Sequence, residues 1–147
     1  PVSSTFDLRA EHPFYGPQPM VFGEYRAVLP EQITRVTFLP PPGELGVSLP
    51  AVLVQPLTAT DCNEFAGLEI VAPGGRARYF DNLLIEHDGP MRACGFVLVE
   101  GLAPGFTTIS VRNAVTGEAW IPGSLISTPR TPVVAGAVTH AIFVKAP

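Results

Sequence analysis

Residues 95–113 read Gly95-Phe96-Val97-Leu98-Val99-Glu100-Gly101-Leu102-Ala103-Pro104-Gly105-Phe106-Thr107-Thr108-Ile109-Ser110-Val111-Arg112-Asn113. Residues 95–100 and 107–113 are strand candidates, built from β-branched and aromatic side chains that suit a pleated surface. Between them Pro104, which has no N–H and cannot continue a ladder, stands between Gly101 and Gly105. This corner lets one strand leave a sheet and the next re-enter, and it places Leu102 and Phe106 to plug the core at the bend.

The same alternation of apolar runs and punctuation extends in both directions. Downstream, Asn113-Ala114-Val115-Thr116-Gly117 and Ala135-Gly136 are turns, and residues 138–145 form the last strand. Upstream, Glu86-His87-Asp88-Gly89-Pro90 is a strong turn, because Asp-Gly tolerates positive φ and Pro stops a ladder. Strands are expected over 76–85, 68–71, 32–39 and 21–29. Residues 47–57 are apolar and bracketed by Pro50 and Pro56, which points to an edge strand. Leu39-Pro40-Pro41-Pro42-Gly43 is a polyproline II connection between strands, the alternative being a ligand for an SH3-like groove. At the N-terminus Val2, Ser4, Phe6, Leu8 and Ala10 share one parity and Ser3, Thr5, Asp7 and Arg9 the other, a half-buried strand pattern. His12 to Pro19, with three Pro, is an extended or turning connector. The best short helix is 61–68, with Asp61 as its cap and Glu64 three positions on. The fold class is therefore all-β: a single antiparallel β-sandwich of about seven to nine strands, prealbumin-like or Ig-like, with Pro-rich connectors. One domain is expected over 1–147, with 1–19 forming the N-terminal strand and its connector.

From Asp88 to Val111 the chain runs through an Asp-Gly turn, an apolar strand, Gly-Leu-x-Pro-Gly-aromatic and a second strand. Gly95, Phe96, Val97, Gly101, Leu102, Pro104, Gly105 and Phe106 carry this order, which resembles the carboxypeptidase regulatory-like or transthyretin-like domains. Residues 133–143 resemble that family's closing strand, so the likeness spans about residues 88–143. Residues 1–60 depart from it, being longer and richer in Pro than the minimal domain. The resemblance implies a prealbumin-like sandwich serving as an extracellular accessory, structural or binding module. It implies no catalytic residues.

Composition narrows the function classes. Of 147 residues 17 are Pro and 14 Gly, while 46% are hydrophobic and 15% charged. That is too apolar for disorder and too rich in Pro for long helices. A net charge of -4, a pI near 5.3 and no basic run exclude a nucleic-acid footprint. No apolar run is long enough to span a membrane as a helix. The stretch from Pro1 into Ser3-Ser4-Thr5 is not a signal peptide, and a leader ahead of Pro1 is compatible with it. Cys62 and Cys94 sit in polar, turn-like surroundings outside any CxxC pair. The expectation is a disulfide closing a loop of about 30 residues and contributing roughly 4 kcal/mol. The alternative is two half-buried free thiols. A disulfide implies an oxidising compartment: extracellular, cell surface or periplasm.

No constellation for catalysis stands out. A Gly-x-Ser-x-Gly elbow is missing, the three His suggest no base, and the 13 acidic residues show no local pairing signature. The expectation is a non-enzyme without cofactor. Glu86, His87 and Asp88 are the densest metal-ligand candidates, but neighbours on a strand diverge, and a solvated turn explains them. Trp120, Tyr15, Tyr25 and Tyr79 are candidates for stacking on a glycan, the competing role being a core or edge plug. Val2, Phe6 and Leu8 are candidates for insertion into a neighbour's sheet edge by strand exchange, the alternative being pairing within the domain. The expected partners are other protein subunits, including copies of the chain itself, or a glycan.

Overall fold

The structure, a computed structural model, describes residues 8–12, 16–20, 45–57, 61–122 and 130–146. The strands expected over 21–29 and 32–39, the 39–43 connection and Val2, Phe6, Tyr15 and Tyr25 lie outside those residues. The described chain is all-β. Its strands are β1 (Leu8–His12), β2 (Gly16–Met20), β3 (Ala51–Leu57), β4 (Leu68–Val71), β5 (Arg76–Phe80), β6 (Glu86–His87), β7 (Phe96–Glu100), β8 (Gly105–Thr108), β9 (Ser110–Asn113), β10 (Ala119–Pro122), β11 (Arg130–Val133) and β12 (Val138–Lys145). They outnumber the expected seven to nine because several are short pieces between turns. In place of the helix expected over 61–68 there is one 3-10 turn, Cys62–Phe65, whose start is capped by the Asp61 carboxylate accepting from the Asn63 N–H.

Eight strands follow one another in a curled sheet, in the order β4-β9-β10-β12-β3-β7-β5-β6. β2 joins β12 and carries β1, while β8 and β11 form a separate pair. The sheet is mixed, not wholly antiparallel as the sequence suggested: Val138–Val144 of β12 run parallel to Ala51–Leu57 of β3. No hairpin joins these two strands, so no tight turn imposes an antiparallel sense. Ala51 to Val54 are buried on both faces, the setting that parallel pairing occupies.

Three further expectations are corrected. First, β3 is a central strand between β12 and β7, not an edge. Its pairing with β7 covers only Ala51–Val54, so Pro56 lies past the stretch where a second ladder would need its N–H. Second, the strand expected over 107–113 is two strands, because the chain changes sheets at the buried Ile109: Gly105–Thr108 pair with β11 and Ser110–Asn113 with β4 and β10. Third, Glu86–His87 form a short strand against Phe80 and Tyr79, so the turn expected at 86–90 begins only at Asp88.

Alternation along the central strands feeds two apolar layers. Val52, Val54, Val97, Val99, Tyr79 and Phe143 enter the main core, which the sheet curls around and which includes Leu68, Ile70, Val111 and Trp120. On the opposite face Ala51, Leu53, Phe80, Leu98 and Val138 form a second cluster with Val47. Phe80 stacks there on Phe96 at 5.2 Å between ring centroids. At the corner Gly101 has φ +78 and Gly105 φ +135, backbone conformations that L side chains rarely adopt. Leu102 is buried as expected, but Phe106 is 72% exposed rather than a core plug. In β8 it sits opposite Pro132 on the outward face, while Thr107 sits opposite the buried Thr131.

Candidate functional site

The outer side of β4 is where the sheet closes on itself. β4 pairs with β9 on one side only. On the other, the buried Tyr79 hydroxyl on β5 accepts from the Ile70 N–H at 3.0 Å. Beside it Leu68 O accepts from Met91 N–H and Met91 O from Gly67 N–H, both at 2.8 Å. Thus an edge that would otherwise offer free backbone groups is filled by a phenol and by the segment around Met91. Cys62 and Cys94 are disulfide-bonded across a sequence separation of 32, with Cα atoms 4.7 Å apart. Cys94 N–H also donates to Cys62 O at 3.1 Å, so the bridge staples this covering segment to the 3-10 turn before β4. Burial pushes the Tyr79 phenol above its ordinary value.

The most enclosed charge cluster centres on Arg78 of β5. Its guanidinium donates to Glu86 through Nε at 2.8 Å and Nη2 at 2.6 Å, a bidentate pair. It also reaches the carbonyls of Leu45, at 3.1 Å, and Gly46, and lies 3.7 Å from Glu100. Glu100 in turn accepts from Ser48 N–H at 2.9 Å. The guanidinium holds Glu86 below the usual carboxylate range, and the Glu86 carboxylate raises Arg78. With its donors spent on two carboxylates and two carbonyls, Arg78 fastens residues 45–48 over the second apolar cluster. This clamp has no sequence signature: Arg78 differs from Arg76 only in what the fold brings to it.

Between β5 and β6 the chain makes a turn fixed by Asp81. One carboxylate oxygen accepts from the N–H groups of Leu83 and Ile85, 2.9 Å each, and the Asp81 and Leu84 amides donate to Ile85 O and Asp81 O at 3.1 Å. The bond from Ile85 leads the effects that hold the Asp81 carboxyl below its ordinary value. Leu84 takes φ +66, a strained conformation for a branched side chain. The turn presents Leu83, Leu84 and Ile85 to solvent, at 72%, 41% and 58% exposure.

The remaining sequence-derived candidates separate rather than converge. Trp120, 4% exposed, packs edge-to-face on Phe65 in the core, and Tyr79 is 9% exposed with its hydroxyl committed to Ile70. A glycan platform must offer a ring face to solvent, and neither ring does. Glu86 turns to Arg78, whereas the His87 ring lies beside Tyr79 with Nδ1 donating to Asp88 O at 2.7 Å. Among the described residues no three His, Cys, Asp or Glu side chains are gathered as a metal site would need. No helix among them is long and apolar enough to cross a membrane. Leu8 pairs with Met20 of the same chain.

The chain matches no family model, no curated protein and no solved structure. On its surface enclosed charges serve as internal ties, while apolar side chains stand out at Val115, at the 83–85 turn and, through Phe106, on β8.

Proposed function

We propose that this chain is a non-catalytic, secreted or surface-exposed β-sandwich that acts as a structural module, a subunit of an extracellular assembly. The observation that carries the reading is the 81–85 turn, where Asp81 fixes a strained backbone that holds three aliphatic side chains out into water. An exposed apolar group held rigid loses little entropy on binding, which suits a contact with another protein subunit. The Cys62–Cys94 disulfide supports an oxidising compartment. Strand exchange by the N-terminus is the route proposed for self-assembly, with Val2 and Phe6 as inserted side chains; Leu8 belongs to β1 and pairs within the chain.

Light scattering on the full chain over a concentration series tests the reading. Assembled species are expected, and their mass is expected to fall on removal of residues 1–7, which leaves β1 whole, or on Leu83→Asp with Ile85→Asp. An assembled mass indifferent to both changes overturns it.

A further inference from the structure

Exposed strand edges are templates for pairing with another chain, and folded proteins blunt them with charge, Pro, shortness or cover. Judged by those devices, the edges among the described residues are unequal. β4 is covered by Tyr79 and Met91. β6 has two residues, Glu86 and His87, and Pro90 follows closely. β1 carries Arg9, Glu11 and His12, and β11 carries Arg130 and Pro132. β8, Gly105-Phe106-Thr107-Thr108, holds neither a charge nor a Pro within it, although Pro104 immediately precedes it, and nothing among the described residues covers it. Among the described residues it pairs with β11 alone, and Gly105, Phe106 and Thr108 are exposed. Between Glu100 and Arg112 the sequence holds no charged residue, so the strand sits in the middle of an uncharged stretch.

We propose that β8 is a homodimerisation edge, pairing antiparallel with β8 of a second copy about a two-fold axis. Two observations select a second copy as the occupant. A two-fold contact needs a strand compatible with itself, and an uncharged strand brings no like charges together on a chain whose net charge is -4. The outward alternation also matches: with the axis through Thr107, Phe106 of each copy faces Thr108 of the other, two aromatic–β-branched pairs on one face of a continuous sheet. The main-chain bonds supply the joint, and the two Phe106 rings supply apolar burial that the monomer leaves in water. This deepens the assembly reading and rests on it for the role of the contact, but it names a different surface from residues 1–7 and the 83–85 turn.

Sedimentation equilibrium of the full chain, of Phe106→Lys, of Thr108→Glu and of their mixture tests it. The wild type is expected at a mass of at least about 31 kDa, twice 15.6 kDa, with the β8-joined pair as its smallest assembled unit. Phe106→Lys is expected to raise the dimer dissociation constant by about tenfold or more, because it installs the edge lysine that native sheets use against pairing. Mixing Phe106→Lys with Thr108→Glu is expected to restore a heterodimer, since the register sets position 106 of one copy against position 108 of the other. An intact Cys62–Cys94 bridge and an unchanged far-UV spectrum establish that each variant is folded. A wild type that stays monomeric, or a dimer indifferent to Phe106→Lys, overturns the proposal. A mass that falls only on removal of residues 1–7 or on altering 83–85 also overturns it, and leaves the broader assembly reading standing. A mass that falls only with Phe106→Lys supports it while removing N-terminal exchange.

Discussion

The β4 and β8 edges show two fates for the same chemistry. Both belong to four-residue strands bonded on one side, and each has a second side that must find partners or face water. At β4 the rest of the protein supplies them: the sheet curls until Tyr79 on β5 reaches the Ile70 N–H, and the disulfide-tethered segment near Met91 takes the neighbouring groups. At β8 nothing comparable arrives among the described residues, and Phe106 stands in water beside the strand. Closure of this sheet is a matter of side-chain reach. Where a long buried side chain spans the gap the edge becomes interior, and where the strand peels off into its own pair, as β8 does with β11, it stays available.

If the β4 edge is held as described, the largest loss comes from releasing its staple. Replacing Cys62 and Cys94 together by Ser is expected to lower unfolding free energy by up to about 4 kcal/mol, the value for a loop of this length in the chain-entropy picture. Urea denaturation gives the magnitude, and hydrogen exchange at the Gly67 and Met91 amides shows whether the covering segment loosens first. Slow exchange persisting at both amides would detach the disulfide from the edge. Next in size is Tyr79→Phe. The ring stays in the core, but the Ile70 N–H loses its acceptor in a buried setting, a cost of about 1–3 kcal/mol. An unchanged denaturation midpoint would mean that the phenol does not seal the edge. The same hydroxyl sets a smaller, pH-dependent difference. Burial raises the folded-state pKa of Tyr79 above its ordinary 10.0, so between the two values the unfolded chain has given up a proton that the folded one keeps. Stability from this group is complete below that ordinary value and is lost as pH rises through the folded one. Above about pH 10 wild type should therefore lose stability with rising pH more steeply than Tyr79→Phe does, and parallel curves would contradict the assignment.

Much of this architecture is legible in the amino-acid sequence, though unevenly. The all-β class, the strands at 96–100 and 138–145, the Gly101–Gly105 corner and the Cys62–Cys94 bridge follow from local rules: strand-forming side chains, Pro and Gly punctuation, and polar surroundings for cysteine. What escapes is set by distant partners. Pro50 and Pro56 read as edge markers, yet β3 is central, because the length of its pairing with β7 and not its composition decides whether Pro56 matters. Phe106 reads as a core plug by its place in the corner, yet which face it takes depends on the register with Arg130–Val133, far along the chain. Trp120 and Tyr79 offer the same aromatic signal whether they stack on a ligand or fill a core, and only the curl of the sheet buries them. Arg78 is invisible for the same reason: Glu86, Glu100 and two carbonyls reach it from separate segments.

The smallest expected effect is the sharpest test of the contrast between the edges. At concentrations low enough to keep the chain monomeric, Phe106→Lys should change unfolding free energy by no more than about 0.5 kcal/mol, since the ring is 72% exposed and leaves no cavity. Tyr79→Phe removes a single oxygen and should cost several times as much. If Phe106→Lys instead destabilises the monomer by more than about 1 kcal/mol, the ring is supporting its own fold and the β8 edge is not free in the sense argued. If the monomer is indifferent while association weakens, the same substitution separates folding from assembly in one residue. That outcome would place the two edges at opposite ends of one physical rule, in which a backbone edge is completed by the chain itself or by a copy of it.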